Sequence, residues 1–425
     1  MSTNKLNKKL IKNANNRELL YAEAQEKVIS KQRQALKNKQ KKTLRTKQPT
    51  DFRALYYKTL SRNFILDISD KSHGSPFILL SSSLRNSIVE SSGGPVFEKR
   101  ELHHVNKHIE NTKTTNRVLQ VSLRALQSIT KKDRDTAASV SVYKFLIKKH
   151  LEQAYLFEKS LVKSYSECDY VVKFWGPLVE KVFKTTSIIP HWGDTIPGSI
   201  TSLGMKMKMD LRLVVTNSSE LQDHGYGEVA EKCSTSKYFK DKRKTVVASK
   251  ALLNSIVQQN AINHEEDCVY IPYLIAMGFD MHLCVVFLKS NNFYITKKVK
   301  TIIFPSTLEN FAKESIEVVN GLLDLVAMCE AIQKQSCRGK KRKSIDSCIG
   351  NITMNKKQYG ISKVFWDKVK EDELKDETSD DEEDEVEDDE EDEVEDDEED
   401  EVEDDEEDEV EDDEEDEVED GDCGD

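Results

Sequence analysis

Apolar residues recur at i, i+3, i+4 and i+7 through VLQVSLRALQSI and again through SVYKFLIKKHLEQAYLFEKSLV, which predicts two or three helices between Glu98 and Ser164. The next stretch, SECDYVVKFWGPLVEKVF over Ser166 to Phe183, reads as a helix interrupted or restarted near Gly176 and Pro177. Pro177 suits a first helical turn, and this places Glu180 beside the apolar Leu178, Val179, Val182 and Phe183. IIPHWGDTIPGS is expected to be a loop. Two strand-like segments follow, KMKMDLRLVV and YGEVAEK, each carrying one carboxylate (Asp210, Glu228) where a strand ordinarily shows Val or Ile. Asp241 to Asn260 has helical spacing of Val246, Val247, Leu252, Leu253, Ile256 and Val257. Cys268 to Phe304 is β-branched and aromatic with turn residues between its runs, and Thr307 to Gln333 is again an amphipathic helix. Between Thr50 and Gly94 the pattern is mixed, with FILDIS and PFILLSSS as short strands and SSGGP as a loop. Helix, strands, helix, strand, helix is the order of an α/β sheet flanked by helices.

Charge divides the chain. Of its 425 residues 33% are charged and the net charge is −15, but Glu371 to Asp425 holds 43 acids against one Lys, so the preceding residues carry +27. A body that basic implies an anionic partner, nucleic acid being the commonest, with an acidic protein or membrane surface as the other choices. The pattern divides the chain into a basic, partly helical arm (1–50), a mixed then helical support region (51–165), an α/β core (166–335), a basic linker (336–370) and a polyacidic tail (371–425). The arm has 14 Lys and Arg against three Glu and few apolar positions, so it reads equally as a nucleic-acid arm or a solvated tail. The tail repeats EVEDDEED with one Val every eight residues, which cannot build a core, so disorder is expected. Such a tail can take basic proteins such as histones, or fold back on the basic body and compete with nucleic acid.

Several classes drop out. The N-terminus lacks the apolar segment of a signal peptide. Val269 to Leu288 has the length of a membrane span but includes Pro272, Asp280 and His282, so buried strands explain it better and no membrane partner is expected. The eight cysteines form no CxxC pair, and a reducing compartment follows. His104 and His108 stand at i, i+4 beside His103 without a third ligand at useful spacing, and read as ordinary histidines. The run Arg338, Lys340, Lys341, Arg342 and Lys343 has the composition of a nuclear import signal, so a nuclear location is expected, with the cytoplasm as the alternative.

If the strands carrying Asp210 and Glu228 are neighbours, both carboxylates project from one face, and Glu180 can join them from the preceding helix. Three converging carboxylates repel unless a divalent cation sits among them, and Mg²⁺ or Mn²⁺ bound through oxygens would activate water and offset charge growing on a phosphate. The lysine-rich run Lys240, Lys242, Arg243 and Lys244 is expected to hold nucleic acid. The plainer reading pairs Asp210 and Glu228 with Lys208, Arg212 or Lys232 on a sheet face.

At these residues the chain resembles the PD-(D/E)xK nuclease superfamily. FWGPLVEKVF, WGDT, MKMDLRLV, GEVA and ASKALLN look more narrowly like a group of uncharacterised fungal (Mucorales-type) proteins, over about Ser166 to Leu288. The resemblance implies a restriction-endonuclease-like mixed sheet, with Glu180 as the helix carboxylate, Asp210 as the metal-bridging one and Glu228 as the acid of Glu-x-Lys. Ala230 stands where that lysine belongs. The superfamily's lysine can migrate to the following helix, which implies Lys250, while Lys232 shares the face of Glu228 if the strand stays regular. Phosphodiester cleavage is then one reading, nucleic-acid binding on a catalytically silent fold a second, and an acidic-tailed chromatin or histone-binding protein a third.

Overall fold

Seven strands form one mixed sheet in the order β1-β7-β6-β5-β4-β3-β2, in a computed structural model that describes residues 51–72, 75–110, 115–130, 133–217, 220–260, 268–290, 292–348 and 360–366. The strands are β1 (Ile65–Asp67), β2 (Ile188–Thr195), β3 (Met209–Asn217), β4 (Glu220–Ala230), β5 (Tyr270–Met277), β6 (Asp280–Ser290) and β7 (Phe293–Ile303). Only β1 with β7 and β4 with β5 run parallel. The principal helices are α1 (Phe52–Arg62), α2 (Ser82–Ser92), α3 (His103–Glu110), α4 (Asn116–Ser128), α5 (Arg134–Glu152), α6 (Gly176–Phe183), α7 (Thr235–Asn260) and α8 (Phe311–Cys348). The basic arm and the acidic tail lie outside the described residues.

Parallel neighbours need a crossover, and α7 supplies it between β4 and β5. β5 and most of β6 are buried on both faces, which is why their text is continuously apolar rather than alternating. One face, with Leu211, Leu213, Leu283 and Val285, packs against α4, α5, α6 and α8. The other, with Tyr226, Ile275 and Val286, packs against α7 and α1. The apolar side of β3 therefore sends Leu211 and Leu213 one way and leaves Asp210 on the α7 side.

IIPHWGDT is an antiparallel edge strand, β2, rather than a loop; Pro190 is tolerated because an edge strand leaves one row of backbone groups unpaired. PFILLSSS does not form a strand: its first part is a turn and its serines open α2. Of FILDIS, only Ile65–Asp67 enters the sheet, so the 51–165 region contributes a strand to the core as well as supporting helices. The import-like run falls within the bounds of α8 rather than in a linker, and its side chains lie outside the described residues.

Around Gly176 the chain is helical on both sides of a π turn, Val171–Trp175. Ser166 and Asp169 form a capping box at the start, with Ser166 N–H donating to Asp169 Oδ2 at 2.9 Å. Glycine is needed at 176 because a Cβ there would lie 2.5 Å from the Val171 carbonyl oxygen. Trp175 then donates from Nε1 to the Gly278 carbonyl at 2.8 Å, tying the turn to the β5–β6 hairpin.

Candidate active site

β3 and β4 pair with Leu211 opposite Gly227 and Arg212 opposite Tyr226. Continuing that register sets Asp210 opposite Glu228, and directly opposed residues share a face. Asp210 Oδ2 accepts a hydrogen bond from the Val229 N–H at 2.9 Å. Glu228 is buried, 1% exposed, and its Oε2 is ion-paired to the Lys244 ammonium arriving from α7, while its Oε1 has no hydrogen-bond partner among the described residues. Burial pushes the Glu228 carboxyl well above the ordinary carboxylate range; Lys244 opposes the shift, and Asp210 and Asp241 add to it.

α7 carries two further contributors, so that Lys237, Asp241 and Lys244 stand at i, i+4 and i+7. Asp241 is also buried, with Oδ2 3.5 Å from the Lys237 ammonium but accepting no hydrogen bond. Burial raises its carboxyl to about 6, against Lys237 and Lys244 and with Asp210 and Glu167. Lys237 reaches Glu167 Oε1 at 2.8 Å. For Lys244, burial acts downward, but Glu228, Asp210 and Asp241 outweigh it and the ammonium is held above its usual range. Four carboxylates and two ammonium groups thus meet under the N-terminal half of α7.

Glu180 is not one of them. Its helix packs on the opposite face of the sheet, and the exposed carboxylate accepts from Trp192 Nε1 at 3.0 Å. The acid that comes from upstream is Glu167, the first residue after the Ser166 cap of the same helical stretch. Lys250 does not join the carboxylates either. It is fully buried farther along α7, where its ammonium donates to Asn63 O (3.0 Å), Asn63 Oδ1 (3.3 Å), Ser362 Oγ (2.8 Å) and Lys363 O (2.8 Å). Lys232 follows the end of β4 at Ala230, so strand alternation no longer governs it; its side chain is 72% exposed and pairs with Glu231 at 3.5 Å.

The expected nucleic-acid run is rearranged by the same helix. Lys242 is buried against Asp67 at 2.6 Å, and Arg243 is buried with Nε donating to Thr59 Oγ1 at 2.7 Å, so neither charge lies on the open surface. Lys244 belongs to the carboxylate cluster and Lys240 is half-buried. Arg212, weighed as a partner for Asp210, pairs instead with buried Asp223 at 2.7 Å, and Lys208 pairs with Asp194 at 3.3 Å.

Among the described residues, no three His, Cys, Asp or Glu side chains are gathered as they would be around a metal ion. Magnesium is commonly held by one or two carboxylates, with waters and substrate oxygens completing its shell. Asp210 and Glu228 are hard oxygen donors of that kind, and the unpartnered Glu228 Oε1 is an acceptor in want of a cation or donor, so the pair fits such an ion. No family model, curated protein or solved structure matches the chain.

Proposed function

We propose that the protein is a nucleic-acid-binding phosphodiester hydrolase of the PD-(D/E)xK nuclease-like type, on a restriction-endonuclease-like sheet, with Asp210, Glu228 and Lys244 as its reaction centre. The observation that carries this reading is the Lys244 ammonium seated on Glu228 beside Asp210, because it puts a lysine from the following helix where Ala230 leaves none. Asp210 and Glu228 would hold Mg²⁺ or Mn²⁺, which when bound supplies Lewis-acid polarisation of a phosphate oxygen and a more acidic water. Lys244 donates to the phosphate oxygen on which charge grows, and Lys237 ties α7 to the segment bearing Glu167. The basic body attracts the polyanion whatever its sequence.

Cleavage of single-stranded and duplex DNA and RNA by the purified chain tests this. Turnover is expected with Mg²⁺ or Mn²⁺ and to fall about 100-fold or more in Asp210→Asn and Glu228→Gln. No cleavage of any substrate with either ion would reject it.

A second reading, a catalytically silent nucleic-acid-binding protein, is favoured because, among the described residues, no three acidic, His or Cys side chains are gathered as metal ligands. Binding that weakens steeply with salt, and is indifferent to Asp210→Asn, would select it. We assign to Arg338–Lys343 a nuclear import role, and to the acidic tail a role in binding basic proteins such as histones; pull-down by the isolated tail tests the latter.

A further inference from the structure

We propose that the face made by α1, α7 and the start of β7 is a recognition groove for an extended aliphatic-aromatic peptide, occupied in cis by Gly360–Trp366 (GISKVFW) as a clip. This does not rest on the hydrolase reading.

The groove reads backbone. The Asn63 side chain donates from Nδ2 to Phe365 O at 2.9 Å and accepts from Phe365 N–H at 3.0 Å, the reciprocal pair that a neighbouring strand would make. Asn254 Nδ2 donates to Ser362 O at 2.9 Å, Tyr294 Oη accepts from Ser362 N–H at 3.3 Å, and Asn292 N–H donates to Gly360 O at 2.8 Å. It also reads side chains. Ile361, Val364 and Trp366 pack against the apolar cluster under α7. Trp366 stacks under the Arg243 guanidinium at 4.0 Å and Phe365 lies 5.4 Å from that of Arg62.

Lys250 explains why an occupant is needed. Its four oxygen partners include no carboxylate, and two of the four, Ser362 Oγ and Lys363 O, belong to the clip. Without the clip, the ammonium would lose half of these oxygens and keep Asn63 and the face of Tyr294, 4.8 Å from the ring centroid. Carbonyl and hydroxyl oxygens at that point are what an extended peptide offers. The acidic run begins at Glu371, five positions beyond Trp366.

The test uses the full chain with a protease recognition sequence in place of residues 352–357, cut after folding, with retention of the clip-bearing fragment followed by size exclusion. High salt is used so that attraction between acidic tail and basic body is screened. The fragment is expected to stay bound, to dissociate about tenfold faster or more in Trp366→Ala and in Lys250→Met, and to be displaced by the free peptide GISKVFW but not by a scrambled one. Immediate loss of the fragment in high salt would overturn the proposal. So would equal dissociation from parent and Trp366→Ala, the variant least able to disturb folding, or displacement by an oligonucleotide as effective as the peptide.

Discussion

Two lysines on one helix, six residues apart, have opposite surroundings, and the contrast defines the site. Lys244 is flanked by Glu228, Asp210 and Asp241; Lys250 faces only neutral oxygens and a tyrosine ring. Lys244→Met leaves Glu228 buried without its counter-ion, and a loss of roughly 3 kcal/mol is expected in urea denaturation at neutral pH, part of it recovered in Lys244→Met/Glu228→Gln. For Lys250, burial lowers the ammonium to about 7 from the ordinary 10.5. Between those values the unfolded chain binds the proton and the native state does not, so stability rises with pH across that window, by about 1.4 kcal/mol per pH unit at most. Lys250→Met should flatten that rise; an unchanged slope would show that Lys250 stays charged in the fold. Asp210 and Glu228 were legible in the sequence because a lone carboxylate in an apolar strand stands out. Lys244, Asp241 and Lys237 were not, because their i, i+4, i+7 stripe on a lysine-rich helix has the same spacing as a solvated face. Glu167 was hidden by sitting in a capping segment rather than beside apolar neighbours, as Glu180 does.

At the scale of elements, long periodic segments were readable and short or two-faced ones were not. α5, α7 and the β5–β7 meander follow their patterns, since each buries a continuous face. β2 is not legible because an edge strand carrying Pro190, Gly193 and a bulge has the composition of a loop. β1 is three residues long and takes its place through pairing with β7, far away in sequence, and through Asp67 on Lys242. The π turn before α6 follows from Gly176, and it sets the direction of the segment bearing Glu167. Gly176→Ala would put a methyl against the Val171 carbonyl, and a loss of about 1 to 3 kcal/mol with a lowered melting temperature is expected. Wild-type stability in that variant would mean that the turn relaxes freely.

Over the whole molecule, charge separation dominates. The residues before Glu371 carry +27 and those from it −42, an arrangement that favours competition between the chain's own acidic run and a nucleic acid. Deleting residues 371–425 should tighten nucleic-acid binding at low salt and steepen its salt dependence; equal affinity with and without them would remove the competition. The proposed assignment is narrower: the reacting lysine would be Lys244, beside Asp210 and Glu228, and Lys250 would serve the fold. It is tested most directly by single-turnover cleavage rates of Lys244→Met and Lys250→Met, with nucleic-acid affinity measured alongside and at a temperature where both are folded. The account predicts a fall of about 100-fold or more for Lys244→Met with little change in affinity, and a near wild-type rate for Lys250→Met. A full rate in Lys244→Met, or the loss appearing in Lys250→Met instead, would contradict it.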